Sequence, residues 1–164
     1  MGESNELKSK LQRQILIATD GSKAAESVAD FGIEMARCSG AKVYALYVID
    51  LTSLDSVLMD ESWVKNAYEH FERIGREAIC YIEENAKAAR IEAVLILLKG
   101  NPAEKILDFA EEQKVDMIVM GSTGKSGVER FMLGSVSEKV VRHSKIPVLV
   151  VRERVKPERF VKYG

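Results

Sequence analysis

Five short apolar runs punctuate this chain, and stretches of helical periodicity separate them. The runs are Ile15 to Thr19, Val43 to Ile49, Ile91 to Leu98, Val115 to Met120 and Pro147 to Val151. None alternates cleanly between apolar and polar residues, which suits strands covered on both faces in a parallel sheet. Between the first two runs, Ala25, Val28, Ala29, Gly32, Met35 and Ala36 recur close to the helical period, from the turn cluster Asp20-Gly21-Ser22 to the stop at Ser39-Gly40. A longer stripe from Ser62 to Arg90 carries Val64, Ala67, Tyr68, Phe71, Ile74, Ala78 and Ile82. After the third run, Gly100-Asn101-Pro102 predicts a helix with Asn101 as N-cap, Pro102 at N1 and Glu104 at N3. Ser135 to Ser144 predicts a short helix before the last run. Residues 50 to 61 show weak periodicity and read as a loop or a short helical piece.

Strands alternating with helices, joined by right-handed crossovers, predict an open parallel sheet with helices on both faces. The chain has 164 residues, 46% hydrophobic and 30% charged, enough for one domain with a real core. Its 24 basic and 25 acidic residues leave a formal charge of −1, which gives no overall electrostatic case for nucleic acid or a membrane surface. No apolar run approaches the roughly 18 residues of a membrane span, and Met1 to Lys10 is polar and mixed in charge, so the expected compartment is the cytoplasm. Cys38 and Cys80 lie far apart, outside any CxxC spacing, and are expected to be buried, reduced thiols.

The chemistry concentrates after the fourth run, at Gly121-Ser-Thr-Gly124-Lys125-Ser126-Gly127, with Gly134-Ser135 following just before a helix. Glycines let the backbone approach a ligand, hydroxyls add donors, and Lys125 and Arg130 supply charge. Ser135 is expected to cap the helix with Glu138 at N3, its positive end directed at an anion. Two better-known phosphate motifs fail. GxxxxGK[ST] would need glycine where Val119 stands, and GxGxxG expects its glycines after the first strand, where only Asp20-Gly21-Ser22 occurs. What remains is Gly121-x2-Gly124-x9-Gly134-Ser135.

With that spacing the sequence resembles the ATP-binding branch of the universal stress protein family, whose signature is G-x2-G-x9-G-[ST]. The likeness extends to Ile15-Leu-Ile-Ala-Thr-Asp-Gly-Ser, Tyr47-Val48-Ile49-Asp50, Gly100-Asn101-Pro102, Val115-Asp116-Met-Ile-Val-Met-Gly-Ser and Pro147-Val-Leu-Val-Val, roughly residues 13 to 152. The resemblance implies a Rossmann-like α/β domain at 13–152, between a polar extension at 1–12 and a tail at 153–164. It implies a single five-stranded parallel sheet in the order 3-2-1-4-5, with ATP across the carboxyl ends of strands 1 and 4. Carried over by position, Ala18, Thr19 and Asp20 flank adenine and ribose, Val48 meets the adenine edge through its backbone, and Met120 with Gly121 closes on the ribose. Gly124, Lys125, Gly134, Ser135, Val136 and Ser137 surround the phosphates, which would carry any Mg²⁺ or Mn²⁺. Gly127 and Arg130 within the spacer leave the individual phosphate contacts open. The last strand, Val148 to Val151, is implied to pair with its copy in a homodimer, which Phe160, Val161 and Tyr163 of the tail could extend.

Asp20 also suits a turn-capping role. His70 and His143 lie beside charged residues without a metal partner at ligand spacing and read as surface residues, whereas Trp63, Tyr68 and Phe71 read as core. A receiver domain would need an Asp after strand 3, where Lys99-Gly100 stands. Apart from Asp20 no candidate general base or metal carboxylate occurs near the loop. The expected function is therefore a nucleotide-dependent sensor or regulator in stress response, with slow metal-dependent ATP hydrolysis or nucleotidyl transfer as the alternative. ATP, ADP, AMP and cyclic nucleotides all remain open as the ligand.

Overall fold

A computed structural model describes residues 13–52, 60–123 and 132–152. The elements run β1 (Gln14–Thr19), α1 (Lys23–Ser39), β2 (Lys42–Ile49), α2 (Glu61–Ala88), β3 (Ala93–Lys99), α3 (Pro102–Glu112), β4 (Met117–Gly121), α4 (Ser135–His143) and β5 (Val148–Val151). The five strands form one sheet in the order β3-β2-β1-β4-β5, and every pairing is parallel. The expected topology is thus the observed one. β3 and β4 each begin two residues later than the apolar runs suggest, because the residues before them close the preceding helices. The N–H groups of Ile91 and Val115 donate to Ala86 and Ala110.

Alternation along each strand divides the core in two. Ile15, Ile17, Val43, Ala45, Tyr47, Ile49 and Val119 pack on one face under α1 and α2. Leu16, Leu46, Ile118 and Met120 pack on the other under α3 and α4. The crossovers that leave β1 and β2 therefore lie on one face, and those that leave β3 and β4 lie on the other. Between β1 and β4 the helices diverge to opposite faces and leave a crevice at the carboxyl ends. Leu16, Ile17, Val43, Leu46, Ile118 and Val119 of β1, β2 and β4 are all fully buried. Truncating Leu16 or Leu46 to alanine costs about 2–5 kcal/mol, and Leu46 lines the crevice itself.

Local chemistry sets the helix starts. Ser22 Oγ accepts from the Ala25 N–H at 3.2 Å, and Asn101 Oδ1 accepts from the Glu104 N–H at 3.2 Å. Pro102 occupies the first turn of α3, as its spacing predicts. Ser135, however, is not the N-cap of α4. Gly134 takes that place with extended backbone, and the first helical bond runs from the Glu138 N–H to the Gly134 carbonyl.

Three other expectations are corrected. Cys38 and Cys80 are exposed rather than buried. The buried stripes of their helices run through Ala36 and Ile79, and at 100° per residue positions 38 and 80 turn away from the sheet. Trp63 is 47% exposed, because it lies in the first turn of α2, ahead of that helix's buried residues. Tyr68 and Phe71 are half-buried, while His70 and His143 are exposed as expected. Among the described residues no helix is long and apolar enough to cross a membrane.

Candidate functional site

The crevice is a cleft of about 610 Å³ at the carboxyl ends of β1, β2 and β4. Ala18, Thr19 and Asp20 come to it from β1, Val48 from β2, Met120 and Gly121 from β4, and Gly134, Ser135, Val136 and Ser137 from the start of α4. Gly124 and Lys125, with Gly127 and Arg130, lie outside the described residues. The sheet brings β1 and β4 together through the Ile17–Val119 register, though their sequence positions are about a hundred apart.

One wall is apolar. Ala18, Leu46, Val48 and Met120 belong to the α3–α4 side of the core, and Pro102 and Ile106 of α3 complete the surface. Sequence reading did not name Pro102 and Ile106 as site residues. The available signal was positional. Pro102 opens the helix that follows a strand's carboxyl end, and Ile106 is one turn further along the same face. A flat apolar group fits this wall.

Asp20 sits where that wall meets the β1 turn. Its Oδ1 accepts the Ser22 N–H at 2.9 Å, which fixes the carboxylate against the start of α1. Its Oδ2 is buried and has no hydrogen-bond partner among the described residues. A buried acceptor left unpaired costs about 1–3 kcal/mol, more when charged, so the site is built to receive a donor at this atom. Beside it Gly21 holds φ +76°, and a Cβ there would fall 2.6 Å from Ile74 Cγ2. Only glycine therefore lets the turn bend this tightly under α2. Tyr47, on the cleft's inner wall, has its phenol pKa pushed up by burial and then by the Asp20 charge, so it stays neutral.

The opposite end of the cleft is a frame of backbone donors. The Ser137 hydroxyl donates to the Gly121 carbonyl at 2.6 Å, and the Gly134 N–H donates to the Ser122 carbonyl at 2.7 Å. The Ser122 N–H in turn reaches the Val151 carbonyl at 3.1 Å. These bonds tie the start of α4 to the end of β4 and aim the helix axis at the cleft. The N–H groups of Ser135, Val136 and Ser137 precede the first helical bond and have no intrahelical acceptor. Among the described residues no side chain caps this helix. Ser137 thus offers the cleft its N–H, since its hydroxyl proton is committed to Gly121.

Gly121 has room to spare. A Cβ there would meet Val28 Cγ2 at 3.5 Å and the Thr123 carbonyl at 3.6 Å, ordinary contacts, so packing among the described residues does not demand glycine. Among the described lining residues no side chain is cationic; the charged ones are Asp20 and Asp50. The helix start contributes positive potential at the α4 end. Together these features suit a ligand with a flat apolar ring, hydroxyl donors in the middle and an anionic end.

Comparison with known proteins agrees with this geometry. The profile of the Universal stress protein family matches residues 12–152. The chain is 38% identical over 143 residues to Universal stress protein MJ0531 of Methanocaldococcus jannaschii, covering 87% of this chain and 84% of that protein. The solved structure of hypothetical protein MJ0577, the subject of a structure-based assignment of biochemical function, superposes with a TM-score of 0.75 at 30% identity, over 88% of this chain and 98% of that one. A universal stress protein solved in complex with cAMP superposes at 0.62 and 26% identity, over 87% and 98% of the two chains. A sheet of the order β3-β2-β1-β4-β5, a cleft at its switch point and a family match across nearly all of the described chain lead to one assignment: this protein belongs to the universal stress protein family.

Proposed function

We propose that this universal stress protein is a cytoplasmic, homodimeric sensor or regulator that binds ATP in the cleft between β1 and β4. The observation that carries the reading is the unpaired, buried Asp20 Oδ2, an acceptor placed between an apolar wall and a helix start. Adenine lies against Val48, Pro102, Ile106 and Met120, the ribose hydroxyls donate to Asp20, and the phosphates run toward Gly121, Gly134 and the N–H groups of Ser135, Val136 and Ser137. Gly124 and Lys125 complete the phosphate surroundings in this reading. A relative in complex with cAMP supports an adenine nucleotide as the ligand class.

Any divalent ion arrives on the phosphates. Among the described residues no three His, Cys, Asp or Glu side chains converge to hold one. The dimer forms through β5, which among the described residues lies at the sheet edge beside β4 with Val148 to Val151 half-buried.

Thermal unfolding with ATP tests the nucleotide reading. At a hundredfold excess over Kd, binding adds about 2.7 kcal/mol, which raises Tm by roughly 5–10 °C for a domain of this size. The Asp20→Ala variant loses most of that rise. No rise with ATP, ADP, AMP or cAMP would overturn the assignment. Steady release of ADP or AMP over many cycles with Mg²⁺ or Mn²⁺ would favour the enzymatic alternative.

A further inference from the structure

α2 is built in two unequal halves. It has 28 residues, about 42 Å of helix, whereas β2 and β3 beneath it have 8 and 7, about 26 Å at most. Its buried residues, Gly75, Ile79, Ile82 and Ala86, all fall in the second half. From Glu61 to Ile74 no residue is fully buried. This first half includes Tyr68, whose ring lies 3.9 Å beneath the Lys99 ammonium, and Phe71, which lines the cleft. Tyr68, Phe71 and Ile74 pack against the core only partly buried, so this half opens at a lower free energy than the second.

The junction between the halves touches the ligand site. Gly75 lets α2 lie directly on Tyr47, since a Cβ there would fall 2.4 Å from Tyr47 Cδ1 and 2.8 Å from Leu97 Cδ1. The far edge of the same ring, Cε2, is 3.6 Å from where a Cβ of Gly21 would stand, and Ile74 Cγ2 is nearer still at 2.6 Å. Asp20, Gly21, Tyr47, Ile74 and Gly75 therefore form one continuous packed path from the unpaired carboxylate oxygen to the helix. Beside that path α2 also borders space. A second cavity of about 640 Å³ opens between α1 and α2, and Phe71 lines both it and the first cleft.

We infer that the first half of α2 is the element that responds to occupancy of the nucleotide cleft, becoming ordered when ligand pairs with Asp20 and rests against Phe71. The inference rests on the nucleotide reading and gives it an output. The surface that changes is the exposed face of α2 around Trp63, about two turns ahead of Phe71 along the helix. Ligand that stabilises the Asp20 turn also fixes Ile74, and a fixed Ile74 holds the helix against its cavity. Ordering of one end through a shared contact couples the two without a large displacement.

Hydrogen exchange of the full chain with and without saturating ATP tests this, with calorimetry as the independent measure of binding. The expected result is about tenfold slower exchange across residues 61–72, together with a change in emission of Trp63, the chain's single tryptophan. Ile74→Ala, whose side chain is outside the cleft lining, binds ATP within about threefold of the parent yet loses most of the response. Binding heat without any change in 61–72 or in Trp63 emission overturns the inference and leaves the nucleotide reading standing. An Ile74→Ala protein that responds like the parent also overturns it. Absence of binding heat overturns the nucleotide reading itself.

Discussion

α3 and α4 both begin beside the carboxyl end of a strand, and both border the same cleft, yet their first turns are finished differently. α3 brings its own cap. Asn101 accepts from the Glu104 N–H and Pro102 has no N–H to satisfy, which leaves the Ala103 N–H ahead of the first helical bond. α4 starts on Gly134, whose N–H is used to bond Ser122 and whose missing side chain leaves the next three N–H groups uncapped. A helix start that only has to be stable takes a side-chain cap, worth about 1 kcal/mol. One that has to hold an anion does better without, because a capping oxygen competes with the ligand for the same donors.

The sharpest way to break this contrast is to give α4 what α3 has. Gly134→Asp supplies a capping carboxylate at a position whose φ of −63° accepts any residue. Its charge would also sit where the phosphates are placed. Like charges so juxtaposed cost several kcal/mol, so ATP affinity should fall on the order of 100-fold while Tm without ligand holds or rises. Isothermal titration beside thermal unfolding checks both. Equal affinity in the variant would remove α4 from the phosphate site.

The reciprocal change should separate the two helices from the other side. Asn101→Ala destabilises the protein by about 1 kcal/mol in denaturant titration, with ATP affinity unchanged within about twofold. A large loss of affinity would mean that α3 also holds the anion. Gly121→Ala tests the glycine that packing does not require. It should cost less than about 1 kcal/mol of stability while lowering ATP affinity by about tenfold, measured by the same two methods.

The smallest effect lies away from both helix starts and serves as the control. The Tyr81 hydroxyl donates to Asp30 at 2.9 Å. Burial first, then that hydrogen bond and the Asp30 charge, push its pKa up to about 12. The folded state thus holds this proton more tightly than the unfolded chain, whose tyrosines titrate near 10. The contribution is complete below about pH 10 and is lost as pH rises toward 12. Absorbance titration should show a phenolate near pH 12 that disappears in Tyr81→Phe, and that variant should lose less of its stability between pH 10 and 12. Nucleotide affinity near neutral pH should not change.

Much of this architecture is legible in the residues because its causes are local. Each apolar run is a strand, Ser22 and Asn101 cap the helices they precede, and the spacing around Gly121 and Gly134 singles out the segment that frames the cleft. Helix faces were harder to read. Cys38, Cys80 and Trp63 sit among apolar neighbours in sequence, but what buries a helical residue is the sheet on one side, and α2 extends beyond its sheet. The α4 cap misled for a similar reason. Ser135 has the chemistry of an N-cap, but the bond from Gly134 to Ser122 on another element starts the helix one residue earlier.

What the sequence determined alone was the β/α alternation, the two self-capped helices and, through a glycine spacing, the family. These depend on periodicity and on contacts within a few residues, which a linear string records. Tertiary structure decided that Asp20 keeps one oxygen buried without a partner among the described residues, that Pro102 and Ile106 join Met120 in an apolar wall, and that Tyr47 links the Asp20 turn to α2. Those facts depend on which groups from distant strands meet at a switch point, and on which donors remain unpaired once they have met.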